Sequence, residues 1–280
     1  MDRSNRLLES CIKWFTREDN VRCVILIGSR AQSGETDQMA GIDLDLFVRD
    51  PDSLVEKAGW LDVLEKPLLT HIDYEEDLVI WRGIFEDGLL LALFIQPLAT
   101  LAAIQEDLPP YYLPQYKVLV DKDGQTALFP KPVQDIGTPG QPTPDAFQAC
   151  LTRFWLKVYF TMKCIWREDL WRAKHYDWQA KQELLQMLGW YAALCEGQKG
   201  FTTMEGDQII TWVNTNTYSA LRNTFGHFDR ADSWRALKET IRLFTQIAKA
   251  TAVEIAFEYP QDQETKFDLL MNRLIADPQN

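Results

Sequence analysis

The chain has 280 residues, 46% of them hydrophobic, enough for one large domain or two modest ones and too apolar for long disorder. Its net charge of −12 disfavours a nucleic-acid partner, because an acidic surface repels phosphate backbones, and is compatible with a cationic one. No apolar run reaches the roughly 20 residues that span a bilayer, and the charged first segment lacks a signal-peptide core, so a cytoplasmic protein without membrane association is expected.

In chain order, Ser4 to Arg17 sets Leu7, Leu8, Cys11, Ile12 and Phe15 on one helical stripe. Val21 to Ile27 is a short β-branched run ending at Gly28 and reads as a buried strand. Ile42 to Val48 alternates apolar and acidic residues with period two, which predicts a second strand. Ser53 to Leu64 carries a capping-box pattern for a helix, with Ser53 as its N-cap. Leu78 to Phe85 and Leu89 to Ile95 flank Glu86-Asp87-Gly88 as a hairpin, and Tyr116 to Val120 is a further short strand. Seven prolines and glycines between Pro130 and Pro144 then read as a linker, dividing residues 1–135 from 136–280. Beyond it, Pro144 to Glu168, Trp178 to Leu194 and Ser233 to Phe257 have helical periods, and seven of the ten tryptophans lie there, most of them expected in a bundle core. Up to residue 140 there are 13 basic and 24 acidic residues, and after it 16 and 17, so the acidity sits in the first half.

The five cysteines are scattered without a CxxC pair, which argues against a disulfide framework or a structural zinc site. The chemistry-bearing pattern is instead the strand ending in Gly28-Ser29-Arg30, followed by Asp43-Leu44-Asp45 on the next strand. A strand that ends in Gly-Ser permits close approach of a ligand, and its N–H groups and the Ser29 hydroxyl suit phosphate oxygens. Alternate residues of a strand point the same way, so Asp43 and Asp45 present two hard oxygen donors on one face. That pair suits one Mg²⁺ or a close pair of ions holding the phosphates of a nucleotide, with Arg30 as a further phosphate contact.

This combination is the signature of the DNA polymerase β-like nucleotidyltransferases. Phe85-Glu86-Asp87-Gly88, Lys163 to Leu170, Ala173-Lys174, Glu183 to Tyr191 and Phe257 to Pro260 extend the likeness, as do Trp60 to Val63 and Leu119 to Gly124. Over nearly its whole length the chain resembles the aminoglycoside 6-adenylyltransferase (streptomycin adenylyltransferase) family. The resemblance implies an α+β protein with an N-terminal nucleotidyltransferase domain, a mixed sheet flanked by helices, followed by a C-terminal helical bundle that binds the acceptor. It implies transfer of AMP from ATP, with Mg²⁺, to a hydroxyl of an aminoglycoside or related cationic small molecule, in a monomer or homodimer. Asp43 and Asp45 are then the catalytic and metal-binding pair. Gly28, Ser29, Arg30, Lys163 and Lys174 are the nucleotide contacts, and Glu168, Asp169, Trp171 and Asp177 face the acceptor.

The pattern breaks at one position. The family's third carboxylate falls on the strand after the FEDG turn, where this chain has Ala92. General-base help is worth roughly 10²–10⁴-fold, so impaired transfer is expected, with Glu168 or Asp169 as substitute bases. The alternatives are a weak or inactive nucleotide-binding relative, and a nucleotidyltransferase that acts on a protein.

Overall fold

A computed structural model describes residues 3–32, 37, 39–56, 66–113, 115–132, 138–201 and 204–276. It divides into two units, Met1–Ile136 and Gly137–Asn280. The protein is of the α+β class.

In the first unit, helix α1 (Arg3–Arg17) precedes strand β1 (Val21–Ile27), a 3-10 turn (Ser29–Ala31) and strand β2 (Ile42–Val48). Helix α2 (Pro51–Glu56) begins earlier than the serine pattern predicted. Its start is set by Pro51 and by the Asp50 carboxylate, which accepts from the Ser53 N–H at 3.1 Å, so Ser53 lies inside the helix rather than capping it. The remainder of that predicted helix, 57–64, falls outside the described residues, as does Trp60 to Val63. Strands β3 (Leu69–Tyr74), β4 (Val79–Ile84) and β5 (Leu90–Pro97) follow, then helix α3 (Leu101–Glu106) and strand β6 (Lys117–Asp121).

The six strands form one mixed sheet in the order β3-β4-β5-β2-β1-β6. Only β2 and β5 pair in parallel; the other neighbours are antiparallel. One face carries Val24, Leu26, Leu44, Leu46, Leu91 and Leu93, all buried in a core with Cys11 and Phe15 of α1. The other carries Ile25, Ile27 and Phe47, packed with Leu101 and Ile104 of α3 and with Tyr112 and Phe129. Because side chains alternate along a strand, Asp43 and Asp45 belong to this second face.

The second unit is helical. Helices α4 (Pro144–Trp166), α5 (Leu170–Cys195), α6 (Ile209–Trp212), α7 (Thr215–Asn223), α8 (Arg230–Glu254) and α9 (Gln261–Ala276) pack around Phe147, Leu151, Phe154, Leu188, Phe244 and Ile247. The Phe154 and Phe244 rings stack at 3.5 Å between centroids. Thr143 caps α4 by accepting from the Ala146 N–H at 3.1 Å, and Pro144 opens it. Helix α5 starts eight residues before the predicted Trp178, capped by Asp169. Trp155, Trp190, Trp212 and Trp234 are buried, as a bundle core requires, while Trp171 and Trp178 are exposed. Among the described residues, no helix is long and apolar enough to cross a membrane.

Candidate active site

The register of the sheet builds the site. His71, Arg82, Ala92, Asp43 and Ile27 are successive partners across β3, β4, β5, β2 and β1. They form one transverse row on the α3 face. The next row is Asp73, Ile80, Phe94, Asp45 and Ile25. Directly opposed residues share a face of the sheet, so Ala92 lies beside Asp43, with Arg82 one strand further on.

Gly28 ends β1 next to Asp43. Its φ of 70° lies in the region that favours glycine. A Cβ at Gly28 would also sit 2.8 Å from Asp43 Oδ2. The turn backbone therefore rests against that carboxylate, and only glycine permits it. Asp43 is half-buried, and the exposed Ser29 opens the 3-10 turn. Burial pushes the Asp43 carboxyl above its ordinary range, opposed by the positive charge of Arg82.

Asp45 is 0% exposed. Its Oδ2 accepts from Tyr112 Oη at 2.7 Å and its Oδ1 from the Gln96 amide. Burial raises its carboxyl to about 6 even though both hydrogen bonds favour the charged form. Tyr112 is itself fully buried, and the phenol of adjacent Tyr111 is pushed up to about 12 by burial and by the charge of Asp45. Neither Tyr112 nor Gln96 is legible as a site residue in the sequence. Gln96 carried the better signal, a polar side chain closing the otherwise apolar strand Leu90 to Ile95.

The remaining candidates divide between the two units. Arg30 is half-buried, and its Nε donates to the Ala40 carbonyl at 2.9 Å, bracing the 3-10 turn against the segment before β2. In the helical unit, Lys163 is half-buried near the end of α4. Lys174 donates to the Gly226 carbonyl at 2.9 Å. Glu168 pairs with Arg230 at 3.0 Å, Asp169 caps α5, and Asp177 accepts from Lys181 at 2.6 Å. Trp171 is 80% exposed. In the FEDG turn, Asp87 pairs with Arg3 at 2.9 Å and accepts from the Leu89 N–H, so it serves the hairpin.

Magnesium is the cation implied by the resemblance. Among the described residues no three His, Cys, Asp or Glu side chains group as a metal site. Both oxygens of Asp45 are already hydrogen-bonded, and Asp43 is the carboxylate turned to the glycine-serine turn. Asp43, half-buried beside the turn, is the residue that would hold a divalent cation, with Asp45 behind it.

A mixed sheet with an aspartate pair beside a glycine-serine turn is the arrangement of a nucleotidyltransferase. The streptomycin adenylyltransferase family model matches residues 1–274. The aminoglycoside 6-adenylyltransferase of Bacillus subtilis (strain 168) is 24% identical over 277 residues, covering 94% of this chain and 95% of that protein. That of Campylobacter jejuni is 23% identical over 268 residues, covering 92% and 91%. A crystal structure of an aminoglycoside 6-adenyltransferase from Bacillus subtilis aligns with 99% of this chain and 100% of its own, at 19% identity and a TM-score of 0.47. The chain belongs to the streptomycin adenylyltransferase family.

Proposed function

We propose that the protein transfers AMP from ATP to a hydroxyl of a streptomycin-like aminoglycoside, and does so slowly. The observation that carries this reading is the contact of Asp43 with the Gly28 turn. It joins an anionic metal ligand to a backbone that accepts no side chain. The family match and the names of relatives covering more than nine-tenths of the chain support the same reaction class.

In the reaction, the acceptor hydroxyl oxygen bonds to the α-phosphorus, the bridge to the β-phosphate breaks, and pyrophosphate leaves with that electron pair. The Gly28-Ser29 turn holds phosphate oxygens through its N–H groups and the Ser29 hydroxyl. Asp43 would hold the divalent cation, which when bound would supply charge neutralisation for the phosphates. Asp45, fixed by Tyr112 and Gln96, gives the site a buried negative charge beneath Asp43. With no carboxylate at Ala92 to take it, the hydroxyl proton passes to solvent water, which lowers the rate by roughly 10²–10⁴-fold.

Residues 1–135 form the nucleotide-binding domain and residues 136–280 the acceptor domain in this reading. Within the helical unit, exposed Trp171 with Glu168 and Asp169 offers an aromatic and acidic corner for a cationic sugar. Glu168, Asp169, Lys174 and Asp177 are each engaged within the unit, by Arg230, the start of α5, Gly226 and Lys181, so each exchanges a partner on contacting a ligand.

The test is incubation with α-labelled ATP, Mg²⁺ and streptomycin, comparing wild type with Asp43→Asn. Slow label transfer that depends on Asp43 supports the proposal. ATP binding without any transfer would favour the second reading, an inactive nucleotide-binding relative, for which Ala92 is the motivating observation.

A further inference from the structure

Ala92 leaves a question of charge. A nucleotide triphosphate brings several negative charges to a site whose own carboxylate faces them. Ala92 is only 2% exposed, so its methyl is covered rather than facing an open hole. The residue opposed to it on β4 is Arg82, on the same face and in the same row as Asp43. Two strand spacings separate Arg82 from Asp43, about 10 Å between backbones. An extended arginine covers most of that span. The Arg82 charge is felt at Asp43, where it counters the effect of burial.

Arg82 is also available. Its NH1 pairs with Asp73, whose other oxygen accepts from His71 Nε2 at 2.9 Å. The Arg82 and Asp73 side chains are 37% and 44% exposed. Pairs this open to water are worth little and exchange partners readily. A guanidinium presents several donors in a planar fork that matches phosphate oxygens.

We infer that Arg82 is a phosphate-binding residue of the nucleotide site. To do so it leaves Asp73 on β3 and turns to the other side of β4, across Ala92, so that a protein-borne positive charge takes over part of the neutralisation that a fuller carboxylate set would assign to metal. The ligand is the polyphosphate of a nucleoside triphosphate, laid along the row between the Gly28-Ser29 turn and Arg82. This rests on the reading of the sheet unit as the nucleotide site, and deepens it: ATP binds here with only weak dependence on a divalent cation.

The test is calorimetric titration of the full chain with ATP, in EDTA and in Mg²⁺, for wild type, Arg82→Gln, Arg82→Lys and Asp73→Asn. Wild type binds ATP in EDTA within about tenfold of its affinity in Mg²⁺. Arg82→Gln loses about tenfold to a hundredfold in EDTA, the range for a charged hydrogen bond, and Arg82→Lys falls between. Asp73→Asn frees the guanidinium and tightens binding in EDTA. Asp73→Asn also decides the matter should Arg82→Gln fold poorly, since unchanged binding there overturns the inference. Equal affinity of wild type and Arg82→Gln in EDTA overturns it while leaving the nucleotide site intact. No ATP binding by wild type in either buffer overturns the nucleotide-site reading itself.

Discussion

Asp45→Asn tests whether the site stores a stability cost. Asp45 is fully buried, and its carboxyl is raised from 3.8 to about 6. The fold therefore prefers the protonated form. The favourable contribution is complete below about pH 4 and is lost as pH rises through 6. Each pKa unit is worth about 1.4 kcal/mol, so at pH 7 the ionised group costs the folded state about 3 kcal/mol. Asparagine keeps the shape and stays neutral. Its oxygen accepts from Gln96, and its amide donates to the Tyr112 oxygen. In metal-free buffer at pH 7, Asp45→Asn should be more stable than wild type by about 2–3 kcal/mol. At pH 4 the difference should shrink to under about 1 kcal/mol, because wild-type Asp45 is then protonated too. Urea unfolding at both pH values, followed by circular dichroism at low protein concentration, measures this directly. The variant should at the same time lose AMP transfer. Equal destabilisation of Asp45→Asn at both pH values would refute the reasoning, and would mean that the ionised carboxylate is a net structural asset through its two hydrogen bonds.

Gly28→Ala should destabilise the protein by about 1–3 kcal/mol and abolish nucleotide binding, because the new methyl meets Asp43 Oδ2 at 2.8 Å; thermal unfolding and ATP titration check both. Tyr112→Phe removes one of the two donors to Asp45 and should cost about 1–3 kcal/mol at pH 7, and less at pH 4, where the carboxyl needs less help. Ala92→Asp places a carboxylate between Asp43 and Arg82. It should weaken ATP binding in EDTA, raise the dependence on Mg²⁺, and speed transfer, all readable in one titration series and one rate assay. Burial raises the Cys11 and Cys23 thiols to about 12, so at pH 8 they should resist alkylation until the chain is unfolded in urea, as counted by mass spectrometry.

The β1-turn-β2 core of the site was legible because its signals are local. A β-branched run ends in glycine, and a period-two acidic strand follows within 20 residues. The substitution at Ala92 was legible through the FEDG turn, which fixes where the next strand starts. Its neighbours were not. Arg82 falls in one row with Asp43 only through the parallel pairing of β2 with β5 and the antiparallel pairing of β5 with β4, and register between strands leaves no mark on a single segment. Tyr112 reaches Asp45 from a short turn with no periodicity at all. Strand β3 escaped notice because Leu69 to Tyr74 is an exposed edge strand with mixed polarity, lacking the burial that gives β1 and β2 their pattern. Helix α5 extends back to Leu170 under residues such as Trp171 and His175 that face water, where an apolar stripe is not required.

Transfer of the α-phosphate of labelled ATP to streptomycin, with wild type and Asp43→Asn side by side in Mg²⁺, tests the central claim most directly. The account predicts a slow, stoichiometric appearance of adenylylated streptomycin and pyrophosphate with wild type and none with Asp43→Asn. Equal transfer by both proteins would contradict it, since the carboxylate beside the glycine-serine turn would then have no part in the chemistry.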